Sequence, residues 1–295
     1  MIYIELLIKT IVFQANIGTF TSKLKLMKKS LLVSLTIFFI LEFSMVSAQG
    51  RVDGFYKGKG NIELAIGGGA EFATHYFAGK NRIGLSRTIL NTSLTIGTGL
   101  FDRLDLYLNI PYISIGTVHS VQDGSIFLKY LIARKELSKG ELSFSVASGY
   151  SSNLAVYKTG GINAIGQLAK VIDVRPLVHY QTGAWFATLQ FAYNYKFEPV
   201  PNATNGSIKV GKATAKYYFD FWYENQHSFG GFDYQGTPTP PSFRELGVSY
   251  HKIGGTFYVP IGNRFGIYTG AAFVLRGRNI GQGPIVNIGL VMKNL

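Results

Sequence analysis

The feature that most restricts this chain is an alternation of apolar and polar residues, repeated along most of its length beyond residue 60. Trp185, Ala187, Leu189, Phe191, Tyr193, Tyr195 and Phe197 form one row, and Thr188, Gln190, Asn194 and Lys196 form the other. Leu104, Leu106, Leu108 and Ile110 alternate with Asp105, Tyr107 and Asn109. Ile126, Leu128, Tyr130 and Ile132 oppose Ser125 and Lys129, while Leu142, Phe144 and Val146 oppose Glu141, Ser143 and Ser145. Near the end, Val286, Ile288, Leu290 and Met292 alternate with Asn287, Gly289 and Lys293. Successive strand residues point to opposite sheet faces, so each run has one apolar and one polar face. A sandwich has the same pattern, but its strands average about five or six residues, whereas a tilted strand crossing a bilayer needs about 9–11. Many of these runs reach that longer class. The apolar rows also end in aromatics (Phe101, Tyr112, Phe197, Tyr223), as residues at a membrane interface do. Beyond residue 48 no continuous apolar run reaches the roughly 18 residues of a membrane-spanning helix.

The alternation predicts strands near 60–73, 87–100, 104–114, 124–133, 140–150, 165–181, 184–197, 208–223, 243–259, 264–277 and 284–293. Bacterial single-chain barrels have an even number of strands. The segment 208–227 is long enough to hide a tight hairpin, placed around Tyr218–Asp220, and splitting it makes the count even. The reading is an all-β fold: a single antiparallel transmembrane β-barrel of about 12 strands. Short turns at 101–103, 181–183 and 260–263 then share one end, which is the periplasmic end. Longer connections at 75–86, 115–122, 151–164, 198–206 and 228–241 share the other. The last is rich in Gly, Pro and aromatics; proline keeps such a loop from pairing as a strand.

Composition narrows the class further. There is no cysteine, which excludes disulfides and thiolate metal sites. Twenty-two Phe and 18 Tyr against two Trp, with 35 Gly, suit alternating lipid-facing and lumen-facing positions. The net charge is +13, yet the Lys and Arg are scattered along alternating segments without the clustered patch that nucleic-acid binding requires. The expected partner is outer-membrane lipid, and no nucleic acid.

At the start, Met27-Lys28-Lys29 opens a basic region, residues 30–43 form an apolar stretch whose one charge is Glu42, and Val46-Ser47-Ala48 places small residues before Gln49. This is the three-part signal-peptide pattern, with a cut between Ala48 and Gln49 and export to the bacterial outer membrane. Residues 1–26 precede that pattern and read as a leader from an over-extended reading frame, residues 27–48 as the signal peptide, and residues 49–295 as the barrel.

Catalytic and cofactor motifs are lacking. The five His (His75, His119, His179, His227, His251) show no metal-ligand spacing, and no cofactor is expected. Ser249 and His251 lie two apart on one strand face, the weak nucleophile-and-base candidate for a barrel lipid hydrolase; a polar pair on one face explains them as well. Gly67-Gly68-Gly69 lacks the Lys-Ser/Thr of a phosphate loop and reads as a glycine kink relieving barrel curvature. The residues expected to line the lumen are Asp105, Asn109, Lys129, Glu141, Gln190, Asn194, Lys196, Lys216 and Glu224. They would either tune a solute path or pair to plug it.

The segment Phe101-Asp-Arg-Leu-Asp-Leu-Tyr-Leu-Asn-Ile-Pro-Tyr112, then Asp123-Gly-Ser-Ile-Phe-Leu-Lys-Tyr130, resembles the outer-membrane proteins named for the meta-pathway of phenol degradation. Gly262-Asn-Arg-Phe265, Gly277-Arg-Asn279 and a last strand from Pro284 are similar too, so the resemblance covers roughly residues 60–293. It implies a barrel related to outer-membrane channels for hydrophobic or aromatic compounds; together with the lack of catalytic motifs, the reading is a passive channel for small hydrophobic or aromatic solutes and no enzyme. The alternative is a non-transport barrel serving adhesion or envelope integrity. The sequence leaves oligomeric state open.

Overall fold

A computed structural model describes residues 52–161 and 163–294; the segments read as leader and signal peptide lie outside the described residues. Twelve long strands follow in chain order: β1 (Ile62–Ala73), β2 (Arg87–Phe101), β3 (Leu104–Ile115), β4 (Asp123–Leu137), β5 (Gly140–Asn153), β6 (Val171–Thr182), β7 (Trp185–Lys196), β8 (Ala203–Ala213), β9 (Tyr218–Ser228), β10 (Ser249–Ile261), β11 (Phe265–Arg278) and β12 (Pro284–Lys293). Each pairs antiparallel with its sequence neighbours. β1 also pairs with β12 from Glu63↔Lys293 to Glu71↔Ile285, which closes the ring. No ring strand is left with an open edge, so the backbone donors and acceptors that lipid cannot satisfy bond to one another.

One end of the ring carries only short turns, such as Asp102-Arg103 between β2 and β3 and the four-residue turn 214–217 between β8 and β9. The other end carries the long connections. The sequence reading placed the β8–β9 hairpin about three residues too late. Thr214 sets its position: the Thr214 N–H and Oγ1–H both donate to the Tyr217 carbonyl, and Oγ1 accepts from the Lys216 and Tyr217 amides. Three further boundaries differ, one of them the start of β8, which begins at Ala203 inside the stretch read as the 198–206 connection. Residues 165–170 stay outside β6, and residues 243–245 form a short 3-10 turn with β10 starting only at Ser249. Both segments are used by tertiary contacts, because Gln167 Nε2 donates to the carbonyls of Arg244 (3.0 Å) and Leu246 (2.9 Å). The stretch Gly67–Gly69 runs through β1 in unbroken register on both sides, without a bulge. A Cβ on Gly67 would meet the Tyr268 hydroxyl at 1.9 Å, so this glycine makes room for an inward tyrosine.

The two faces of the ring differ sharply. Outward rows expose large apolar side chains, with Phe221 65%, Leu189 57% and Ile132 56% exposed. Inward rows bury polar ones: Asp105, Lys129, Asp173, Arg175, Gln190 and Asn194 are all nearly inaccessible. A water-soluble fold would invert this arrangement, since a continuous exposed apolar band needs lipid to cover it.

At the loop end, the short strands His75–Ala78, Asn81–Ile83 and Ile280–Gln282 form a small separate sheet. The connection 229–248 folds back against it and is pinned by the residues after β11. Asn279, in the left-handed region at φ 54°, accepts from the amides of Gly79 (3.1 Å) and Tyr234 (2.8 Å). Its Nδ2 donates to the carbonyls of Phe232 and Gly247, both at 2.9 Å. Arg278 pairs with Asp233 and donates to the carbonyls of Gly230 (2.8 Å) and Gly231 (2.7 Å). Asn279→Ala removes four hydrogen bonds to backbone groups. Trypsin should then cut at Arg244 roughly tenfold faster, from the unmet hydrogen bonds, while the ring keeps its heat-modifiable migration; an unchanged cleavage rate would show that Asn279 does not hold this loop.

Candidate functional site

The interior of the ring gathers charge away from water, and a segment before β1 occupies it. β1 begins at the turn end, and residues 52–59 lead from there into the lumen. We call this segment the strap. Near its root, Lys59 bridges to Gly99 of β2 in parallel sense, and a Cβ on Gly99 would meet the Gly58 carbonyl oxygen at 1.9 Å. Farther in, Val52 packs with Phe127, Ala147 and Leu177, contributed by β4, β5 and β6. The strap therefore spans the interior from the wall beside β1 to the wall formed by β4–β7.

Lys129 is the hub that holds it. Its ammonium pairs with Asp105 at 3.2 Å, with both side chains wholly buried. It also donates to the carbonyls of Asp53 (2.9 Å) and Phe55 and to the Tyr107 hydroxyl (3.0 Å), which in turn donates to Asp105 (2.9 Å). The ammonium stands 4.1 Å from the centre of the Tyr56 ring, a cation–π contact in a dry setting. Asp105 closes the circuit by accepting from the Lys57 amide at 3.2 Å, and Lys57 Nζ pairs with Glu63 at 2.6 Å. Removing one member of a buried ion pair costs far more than the pair is worth, because the survivor stays charged and dry.

Three further contacts seat the strap. Gln190 bonds Val52 through both backbone atoms, accepting from its amide (3.3 Å) and donating to its carbonyl (3.0 Å). The Tyr56 hydroxyl donates to Ser145 Oγ at 2.8 Å. Phe55 meets His179 and Phe186 edge-on, with ring centres 4.7 and 5.0 Å apart. Gly54 passes so close to the wall that a Cβ there would meet His179 Nδ1 at 2.2 Å. Burial raises the Asp53 carboxyl, but the ammonium charges of Lys209, Lys57 and Lys129 outweigh it and hold the group below its ordinary value. Burial pushes the Tyr56 hydroxyl up to about 12.

Gln190 also accepts from Arg175 (3.1 Å), and Arg175 forms a two-armed pair with Asp173, to which Asn194 donates. Deeper toward the turns, Lys209 faces Asp220 at 3.6 Å, and toward the loops the Tyr250 hydroxyl donates to Glu224 at 2.6 Å. Opposite charges thus meet on the inner wall at Asp105–Lys129, Asp173–Arg175 and Asp220–Lys209.

Of the nine residues singled out from sequence, the structure brings Asp105, Lys129, Gln190 and Asn194 into this network or against the strap. Asn109 donates to Thr95 Oγ1 at 2.7 Å, and Glu141 pairs with Arg134 at 3.1 Å at the half-exposed rim of the turn end. Glu224 and Lys196 face inward toward the loop end. Lys216 is a correction: it sits exposed in the 214–217 turn, because the hairpin falls earlier than the alternation indicated. The sequence reading missed Asp173 and Arg175, whose i, i+2 spacing in Val171–Thr182 carried the signal. It also missed the strap, which has no alternation to announce it. Ser249 and His251 do not form a nucleophile and base. Ser249 Oγ accepts from the Ser228 amide at 3.0 Å, while His251 turns outward to the Tyr223 hydroxyl at 2.6 Å. Among the described residues no group of His, Asp and Glu is arranged to hold a metal.

Comparison with known structures places the ring in a class. It is similar to an outer membrane channel from Pseudomonas putida F1, with a TM-score of 0.61 at 11% identity over 83% of this chain and all of that one. The NanC porin (TM-score 0.47, 11% identity, 79% of this chain and 100% of that chain) and the KdgM porin (0.44, 10%, 79% and 98%) lie farther away. No protein-family model matches the chain, and no curated protein does. The fold is that of the outer-membrane β-barrels.

Lys129→Met should lower unfolding stability by about 3–5 kcal/mol, the cost of stranding one member of a buried pair, as read from denaturant titration of the folded barrel. Asp105→Asn with Lys129→Met together should recover part of that loss. A double variant as unstable as the sum of the singles would show that the two side chains are not coupled.

Proposed function

We propose that this chain is an outer-membrane channel for small solutes, closed at rest by the strap. The observation that carries the reading is residues 52–59 docked by side-chain and backbone bonds inside a sealed twelve-strand ring. In this reading the apolar outer band lies in lipid, the short turns face the periplasm and the long loops face outward. The export signal ending at Ala48 would deliver the chain there. The strap joins β1 on the turn side, so it can leave the lumen without any ring strand unpairing.

The finer reading, that the solutes are hydrophobic or aromatic, has two supports. One is the resemblance to the phenol meta-pathway proteins. The other is a cavity of about 140 Å3 beneath the outer loops, walled by Tyr76, Tyr234, Phe243, Leu246 and Val248, with Arg87 at its side. An apolar cavity of roughly 150 Å3 is large enough for a benzene-sized molecule. A second reading, a non-transport envelope or adhesion barrel, draws on the firmly pinned 229–248 connection, which would then be the working surface.

The test is planar-bilayer recording of the full chain purified from outer membranes. Wild type should be nearly silent, and Gly54→Leu, which forces the strap off His179, should conduct in discrete steps. A wild type that conducts as steadily as the variant would remove the strap's closing role. Folded, heat-modifiable Gly54→Leu and Lys129→Met barrels that both stay silent would remove the channel reading and favour the adhesion one.

A further inference from the structure

The cavity beneath the outer loops is walled by segments that meet only in the folded chain. Tyr76 comes from the small sheet, Arg87 opens β2, Gln167 belongs to the 154–170 connection, and Tyr234 and Phe243 belong to the 229–248 connection. Three of its rings form a continuous aromatic wall. The Tyr76 and Tyr234 rings meet edge-on with centres 5.4 Å apart, and the centres of Tyr234 and Phe243 lie 5.6 Å apart. Backbone bonds fix this wall: Asn279 holds the Tyr234 amide, and Gln167 holds the carbonyls of Arg244 and Leu246, which follow Phe243. The space of about 140 Å3 is therefore formed before a ligand arrives, which lowers the ordering cost of binding.

Charge enters this space from one residue. Among the described residues that wall the cavity, Arg87 is the single charged one, and no carboxylate lines it. The guanidinium carbon stands 5.3 Å from the centre of the Tyr76 ring, so the cation is anchored on the aromatic wall itself. Glu71, 5% exposed, lies near Arg87 without lining the cavity: a Cβ on Gly281 would meet Glu71 Oε1 at 2.6 Å and Arg87 Nη2 at 3.5 Å. A guanidinium carries five N–H donors in a fork, so a neighbouring acid leaves donors for a second acceptor. Burial pushes the Tyr76 hydroxyl up to about 12, so this ring stays neutral and adds no negative charge to oppose an anion.

We propose that the cavity binds a single-ring aromatic carboxylate, its ring packed on Tyr76, Tyr234 and Phe243 and its carboxylate taken up by Arg87. A purely apolar solute gains nothing from a cation in the wall, and a small anion gains nothing from three rings; a ligand that carries both groups matches the whole lining. The fork of Arg87 suits a carboxylate, which it can meet with two parallel hydrogen bonds. The inference deepens the channel reading and rests on it for its role, which is to collect the acid at the outer mouth. Binding itself does not require the ring to conduct.

Saturation-transfer NMR with benzoate as probe, on the full chain in a non-ionic detergent, decides it. Wild type should transfer saturation to the benzoate ring protons, and Arg87→Gln should bind about tenfold more weakly, the loss expected for a charge-assisted hydrogen bond. Arg87→Lys should fall between the two, because it keeps the charge and loses the fork. Tyr234→Ser, a change outside the ring strands, should also weaken benzoate. Benzyl alcohol, a ring of the same size without the charge, should bind wild type more weakly and be indifferent to Arg87→Gln. Heat-modifiable migration of each variant shows that the ring is folded; if Arg87→Gln fails that check, Arg87→Lys and Tyr234→Ser carry the comparison. Benzoate that does not bind wild type, or that binds the folded variants unchanged, overturns the site. Benzyl alcohol that binds as tightly as benzoate overturns the assignment to an acid. A barrel that binds benzoate through Arg87 yet stays silent in every strap variant sinks the channel reading alone, whereas one that conducts without binding benzoate sinks this inference alone.

Discussion

Every other feature of this molecule depends on the pairing of β1 with β12. An open sheet of this length would present two rows of unpaired amides and carbonyls, and in hydrocarbon each unsatisfied group costs several kcal/mol. Joining Glu63–Glu71 to Ile285–Lys293 removes both edges at once. Closure also creates an inside, and period-two alternation then delivers every second side chain into it. The charged interior follows from closing a sheet whose polar rows face one way.

A closed interior imposes its own accounting. Polar groups there cannot rely on bulk water, so they pair: Asp105 with Lys129, Asp173 with Arg175, Glu224 with Tyr250. The strap enters the same accounting from outside the ring. Its backbone carbonyls at Asp53 and Phe55 take up the Lys129 ammonium, and the Lys57 amide takes up Asp105. A pair that could have been complete in the wall is instead shared with a segment whose one strand contact is the bridge of Lys59 to Gly99 at its root. That is the physical basis for reading the strap as a removable closure.

The loop end follows a different logic. Its connections are long, yet Asn279 and Arg278 gather the carbonyls of Gly230, Gly231, Phe232 and Gly247 and the amides of Gly79 and Tyr234 into a small number of short bonds. Side chains from one corner thus replace the strand ladder that a loop lacks. The aromatic cavity lies beneath this clamp, and Gln167 links the clamp to the 154–170 connection.

Much of the ring was legible in the sequence, for a specific reason. A strand's alternation is local, so Trp185 to Lys196 or Leu104 to Ile110 declares its two faces without reference to anything distant. The even strand number and the turn-and-loop asymmetry follow from that pattern together with chain connectivity. Where partners are distant, legibility stops. The loop character of 165–170 depends on Gln167 bonding to carbonyls 77 and 79 residues away, while the hairpin at 214–217 is set by the local turn bonds of Thr214, which alternation does not encode either. Lys216 was misplaced inward by the same few residues. The strap is the extreme case: Val52 to Lys59 carries no periodic signal, and its partners Asp105, Lys129 and Gln190 lie some 48 to 138 residues away. The sequence alone determined that the chain forms long two-faced strands of membrane-crossing length, because side-chain direction alternates with each residue. Only the tertiary structure decided what fills the space they enclose, because that depends on which charges closure brings face to face.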